Sequence, residues 1–433
     1  MNLAAAPPDP ALAELRGLLG ALKADEADYS EVVNLTANEN TLSKTARSVL
    51  GSALGDRYFV GVWGDREASD DGGAYYVDEG LLVKGMPAAA GLERLAARLA
   101  NSMFHSRYCD FRPLSGMCAV TSVIAAATQA DDRFYIFAPK TLGHHASAAL
   151  LTRMGRKVEF LPWEASSMSV DLEALRRKVR AAPPRAVLLD YGSPFYPLPT
   201  REIREIIGPE PLLVYDGSHV LGLIAGGQFQ DPLNEGCDIL IGNTHKTFPG
   251  PQKGLILYRD ARLGKEVSDV INVTTVSTQQ THQSLALFIA MVEMGVHAAD
   301  YAAQVLANSK AFSSALEAGG FDLLGLAGRP SETHMVAVQG PFSGDNHAAC
   351  GALQDINLNA NSKGILGRGV IRLGVQDATR RGMKEPQMRE LAALMRERLL
   401  GGRPGTPLKA RARELARAFG GLHYTLDEEL SRP

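Results

Sequence analysis

Residues 238–254 read DILIGNTHKTFPGPQKG. The run Asp238–Ile241 is short, apolar and β-branched, and reads as a buried strand. Directly after it come Asn243, Thr244, His245, Lys246 and Thr247, a cluster of polar and reactive groups at a strand end. A lysine used as a Schiff-base nucleophile needs its amine desolvated and its pKa lowered, and a strand terminus among hydroxyls can supply that. Taken singly, Lys246 reads as an exposed loop lysine.

Working outward, Phe134–Ala138, Lys157–Leu161, Ala186–Asp190, Leu212–Asp216 and Gly254–Tyr258 repeat the apolar pattern. Helical periodicity fills the gaps at Ala146–Met154, Leu172–Ala181 and Thr200–Ile207. Strands alternating with helices, each strand apolar on both faces, predict an α/β fold with a mostly parallel sheet flanked by helices. Past Met291 the chain turns helical, with a long helix predicted at Tyr301–Ala318, and a smaller α+β segment follows. The tail Lys409–Phe419 reads as a solvated surface helix.

Three further clusters sit where such a sheet would open its crevice. Asp216, ending Leu212–Asp216, can protonate a pyridine nitrogen or cap a helix. Ser115, Gly116 and Met117 lead into the predicted helix Ala119–Thr128, whose free N–H groups suit a phosphate or an ordinary cap. Arg372 stands alone in the apolar run 369–374 and suits a substrate carboxylate or a structural ion pair.

The chain has 433 residues, enough for a large and a smaller domain at roughly 150 residues each. A net charge of -3 points to neither nucleic acid nor an anionic membrane. Cys109, Cys118, Cys237 and Cys350 are scattered without metal-type spacing, so a reducing, cytoplasmic setting is expected. The first residues lack a basic n-region and read as a frayed arm.

These motifs together, in this chain order, resemble the serine hydroxymethyltransferase branch of the fold-type-I pyridoxal-phosphate (PLP) enzymes. The likeness runs from LTANEN at 35–40 to Arg381-Gly382. It implies a fold-type-I PLP-dependent transferase with a seven-stranded-type sheet. The expected divisions are an N-terminal arm at 1–55, a large PLP-binding domain at 56–305 and a small domain at 306–433. By the resemblance, Lys246 binds PLP covalently, Asp216 meets its ring nitrogen and His219 lies near its phenolic oxygen. His144 or His145 is the imidazole that stacks on the ring. Ser115, Gly116 and Met117 form the phosphate loop, with Asn243 and Ser193 as further cofactor contacts. Arg372 and Asn38 take the substrate, and Tyr58 serves the site of a partner subunit in a homodimer.

The sequence departs from hydroxymethyltransferases where folate chemistry is handled. The glutamate expected two residues after Tyr58 is Val60, which cannot move a proton. Asn38 replaces a serine, Gln252-Lys253 stands where an arginine follows the lysine loop, and 278–283 reads TQQTHQ instead of a glycine-rich loop. LTANEN at 35–40, GNTHKTFPGPQKG at 242–254 and IRLGVQDATRRGMKE at 371–385 are similar to threonine transaldolases. That resemblance implies cleavage of L-threonine to acetaldehyde and transfer of the glycyl unit to an acceptor aldehyde. His145, His245 or a bound water are then the candidate bases. A serine or α-methylserine hydroxymethyltransferase, a simple threonine aldolase and a non-catalytic PLP-binding protein are the competing readings.

Overall fold

The computed structural model describes residues 10–59, 75–78, 81–139, 142–342 and 344–431. Val60, and with it the expected loss of a proton-handling group, lies outside the described residues. The central sheet contains β1 (Tyr108–Asp110), β2 (Arg133–Ile136), β3 (Lys157–Phe160), β4 (Ala186–Leu189), β5 (Leu212–Asp216), β6 (Ile239–Asn243) and β7 (Gly254–Tyr258), in the spatial order β1-β7-β6-β5-β4-β2-β3. From β3 to β6 the strands are parallel, as their apolar runs predict. β7 reverses against β6, and β1 reverses against β7. The link 244–253 explains the reversal, because it is shorter than the dozen or so residues a parallel crossover needs.

Strand periodicity sends alternate side chains to opposite faces. Val187, Leu189, Leu213, Tyr215 and Leu240 enter one core, and Ala186, Leu188, Val214, Ile239 and Ile241 enter the other. The second face is covered by helices Gly116–Ala127 and Ala261–Thr274. The first is covered by Leu221–Ala225 and by the 38-residue helix Thr281–Ala318. The helix expected at Tyr301–Ala318 is the second half of this long one, and the expected division at 305/306 falls inside it. By length and composition it could cross a membrane, yet 61% of its most apolar window is buried in the fold, which makes it a core helix. Glu293 and His297 hide its apolar character from a search for unbroken runs.

The second sheet holds β8 (Asp322–Leu323), β9 (Met335–Gly340), β10 (Asn361–Ile365) and β11 (Arg368–Gly374), antiparallel in the order β8-β9-β11-β10. The tail helix Gly405–Ala418 is not wholly solvated: Leu408, Ala412, Leu415 and Ala416 form a buried stripe. At the other end, helix Pro10–Ser30 buries no residue. The chain then becomes structural rather than arm-like. Leu35 bonds to both Asn359 and Gly374 through its backbone, and the Asn40 side chain donates to the Lys246 carbonyl at 2.7 Å. Residues 35–40 are thereby stitched between the two sheets.

Candidate active site

The C-terminal ends of β4, β5 and β6 face β10 and β11 across a cavity of about 400 Å³. A larger open cleft of about 740 Å³, around Pro199, Gln230 and Lys310, gathers none of the predicted site residues.

Lys246 reaches the cavity from the turn after β6. Its backbone is fixed by Asn40 and by Thr247, whose hydroxyl donates to His219 O at 2.8 Å and accepts from Gly222 N at 3.0 Å. Any Cβ on Gly222 would come within 2.3 Å of the Thr247 carbonyl, so glycine is what admits this close approach. Lys246 Nζ lies 3.3 Å from His219 Nε2. Burial pushes its amine down to about 8, against the pull of Asp216 and with the help of Arg372. The result is a partly neutral amine, as a nucleophile requires.

Asp216 ends β5, and one of its oxygens accepts from Ser218 N at 2.9 Å. The other has no hydrogen bond among the described residues. His219 is buried and stacks on His334, 6.1 Å between centroids at 15°. His334 is itself held by Ala37 O at 2.9 Å. Burial drives both imidazoles toward the neutral form, His334 to about 3. The buried Nδ1 of His219 is without a partner.

Ser115 caps helix Gly116–Ala127, its hydroxyl accepting from Cys118 N at 3.1 Å. Gly116 N donates to Asn243 Oδ1 at 2.8 Å, and a Cβ at Gly116 would sit 2.6 Å from that amide. Lys253, which follows the departure at Gln252, is buried under this loop and donates to Arg112 O at 3.2 Å. Its burial lowers the amine to about 8, with Asp110 opposing. Lys253 is a scaffold for the loop, and only Gly116 and Met117 of the loop reach the cavity.

On the opposite wall Arg372 pairs across strands with Asn361. Its Nε donates to Asn361 Oδ1 at 3.0 Å and its Nη2 to Asn38 Oδ1 at 3.0 Å. Asn361 Nδ2 also donates to Asn38, at 2.9 Å. Amides thus aim the guanidinium without neutralising it, and burial lowers it to about 10. Among the described residues no carboxylate pairs with Arg372, so the structural ion pair that the sequence also allowed is absent.

His144 and His145 both line the cavity, their rings 4.4 Å apart. Asp190, just past β4, holds the loop between them and the sheet by accepting from His144 N and Phe137 N, each at 3.1 Å. Burial pushes Asp190 up to about 8, opposed by the Ser147 hydroxyl. His144 is lowered by burial, with Asp216 opposing.

Four predicted residues, Ser115, His245, Tyr58 and Ser193, do not line the cavity. His245 does not line the cavity, and its burial, with the neighbouring Lys246, lowers it to about 4. Tyr58 is 64% exposed and lies outside the cavity of its own protomer. Ser193 is buried behind the wall, where its hydroxyl meets Lys363 Nζ at 2.9 Å. The sequence reading missed Asp190, His334, Asn361 and Lys363. Asp190 carried the same strand-end signal as Asp216. Asn361 and Lys363 alternate along one strand, a pattern that points both to one face.

The free Asp216 oxygen, the orphaned His219 nitrogen, the glycine cradle at Gly116 and a buried lysine without a counter-ion together fit a phosphorylated pyridine aldehyde. Residues 16–395 match the sequence profile described as serine hydroxymethyltransferase. The chain belongs to the serine hydroxymethyltransferase family. It is accordingly a fold-type-I enzyme whose cofactor is PLP. Among its relatives is the fluorothreonine transaldolase of Streptantibioticus cattleyicolor, 35% identical over 93% of this chain. The chain spans 63% of that protein's length. Serine hydroxymethyltransferases of Aeropyrum pernix and Methanocella arvoryzae are 33% and 32% identical, over 92% and 88% of this chain and 90% and 89% of theirs. In structure the family member resembles an L-threonine transaldolase from Pseudomonas fluorescens in its internal aldimine state. That likeness has a TM-score of 0.86 and 30% identity, covering 97% of this chain and 96% of the other.

Proposed function

We propose that this enzyme is an L-threonine transaldolase acting as a homodimer. What carries this reading over a hydroxymethyltransferase is Val60 in place of the glutamate that handles protons in folate-linked transfer. The likeness to two transaldolases supports it. Bound at Lys246, PLP supplies a sink for the electron pair left on Cα when the Cα–Cβ bond breaks. Arg372, aimed by Asn38 and Asn361, takes the amino-acid carboxylate in a charged hydrogen bond worth about 1.5–3 kcal/mol. Asp216 would keep a proton on the ring nitrogen, Gly116 with Met117 would offer the helix N-terminus to the phosphate, and His144 would lie against the ring.

His145, on the cavity wall beside His144, receives the β-hydroxyl proton as acetaldehyde leaves. It returns that proton to the oxygen of the acceptor once Cα has bonded to the aldehyde carbon, so no net proton is consumed. The homodimer rests on two surfaces. Tyr58 is exposed and outside the cavity, and helix Pro10–Ser30 exposes Leu12, Leu15, Leu18, Leu19 and Leu22.

The test is acetaldehyde release from L-threonine by PLP-loaded, folate-free protein, with and without aromatic aldehydes. Acetaldehyde coupled to formation of a new β-hydroxy-α-amino acid is the expected result. Free glycine regardless of acceptor would make it an aldolase. Serine turnover that requires tetrahydrofolate would return it to the hydroxymethyltransferases.

A further inference from the structure

Lys363 is the one lysine besides Lys246 among the described residues lining the cavity. Strand β10 places it there: Asn361 and Lys363 are two residues apart, share a face, and Asn361 already contacts Arg372. Its Nζ donates to Gly192 O at 3.2 Å and Ser193 Oγ at 2.9 Å, both neutral oxygens. No carboxylate pairs with it among the described residues. Instead it is flanked by Arg372 and Lys246, which together with burial lower it to about 8. Its charge also reaches His144 and His219.

The charges of the site can be matched one by one. Asp216 would take the pyridine nitrogen, the helix N-terminus at Gly116 would donate N–H groups to the phosphate, and one carboxylate would fill the Arg372 fork. Asp190 spends its oxygens on Phe137 N and His144 N and forms no ion pair with Lys363 among the described residues. A half-buried ammonium remains, with two protons spent on neutral oxygens and the third unassigned. Keeping an unpaired cation here costs stability unless a ligand brings the anion.

We propose that Lys363 is a specificity-determining residue that selects acceptor aldehydes bearing a carboxylate or phosphate group. This rests on the transaldolase reading for the word acceptor. It goes beyond that reading in naming the acceptor's charge.

The experiment compares 4-formylbenzoate and 4-formylphenyl phosphate with methyl 4-formylbenzoate as acceptors, with L-threonine as donor. Wild type favours the anionic acceptors by tenfold or more in kcat/KM, and one of the two anions will dominate, identifying which group is seated. Lys363→Met reduces that ratio to near one, and Lys363→Arg restores most of it. Since a salt contact with an ammonium is lost on deprotonation, the preference fades as pH rises above about 8. An equal ratio in wild type and Lys363→Met overturns the proposal. So does a rise in KM for L-threonine with the acceptor ratio untouched, which would put Lys363 on the amino-acid carboxylate.

A second measurement separates this idea from the reaction assigned above. Calorimetric binding of 4-(hydroxymethyl)benzoate and of benzyl alcohol to glycine-loaded holoenzyme needs no turnover. Selective binding of the anion that vanishes in Lys363→Met upholds the anion site even if transaldolation is never observed. Transaldolation without any such selectivity sinks the anion site and leaves the reaction standing.

Discussion

At the scale of single residues the chemistry turns on how deeply each amine is placed. Lys246 is drawn down to about 8 because burial outweighs the attraction of Asp216. Only the neutral amine attacks an aldehyde, and below its pKa the neutral fraction falls tenfold per pH unit. The apoprotein should therefore capture PLP faster with rising pH up to about 8 and then level off. Stopped-flow absorbance across pH 6 to 10 reads this directly; a rate still climbing at pH 10 would mean the lysine is as solvated as in a peptide. Residues of this kind were legible where a strand end carried them. Asp216 and Arg372 stand in apolar runs that make their polarity informative, and Lys246 stands in a polar cluster that closes a buried strand. Lys363 was not legible, because a lysine among Asn361, Ser362 and Gly364 looks like any solvated hairpin. Asp190 reads as the last residue of a strand, whereas the strand ends at Leu189 and Asp190 holds the His144 loop. His245 is next to Lys246 in sequence yet does not line the cavity, since neighbours in an irregular turn need not face the same way.

Elements were easier to read than their directions. Leu172–Ala181, Thr200–Ile207, Leu212–Asp216 and Gly254–Tyr258 occur with the boundaries their periodicity predicts. The antiparallel sense of β7 is invisible in its composition, since a strand buried at every position is apolar whichever way it runs. β1 was missed because three residues, one of them Asp110, give no pattern. Helix Thr281–Ala318 was seen only in part, and its polar interruptions have a structural use. Glu293 forms a fully buried pair with Arg380 at 3.2 Å, tying this helix to the short helix Gln376–Arg380 behind the carboxylate clamp. Removing one partner of such a pair strands the other charge. Arg380→Met should cost about 3–5 kcal/mol in urea unfolding of the apoprotein. Adding Glu293→Leu to it should recover part of the loss. A single variant within about 0.5 kcal/mol of wild type would show that water reaches the pair.

At the scale of the whole molecule, two features look beyond one protomer. A helix with five exposed leucines and no buried residue has no reason to stay ordered alone. Leu15→Asp with Leu22→Asp should shift the protein toward monomer in light scattering at micromolar concentration, with loss of transaldolase turnover if Tyr58 works across the interface. A wild-type protein that is already monomeric under those conditions would remove the basis for both statements. The order of the chain has a cost of another kind. The longest helix among the described residues, Thr281–Ala318, packs closely against Glu385–Leu399, which is made afterwards. At about 5–20 residues per second, the intervening chain and its covering helix take roughly 4–16 s to synthesise. For those seconds a helix long and apolar enough to lie in a lipid bilayer keeps one side uncovered, the kind of surface on which a folding chain aggregates. Chains released before Glu385–Leu399 is made would leave that surface bare for good, so truncation there should yield insoluble protein.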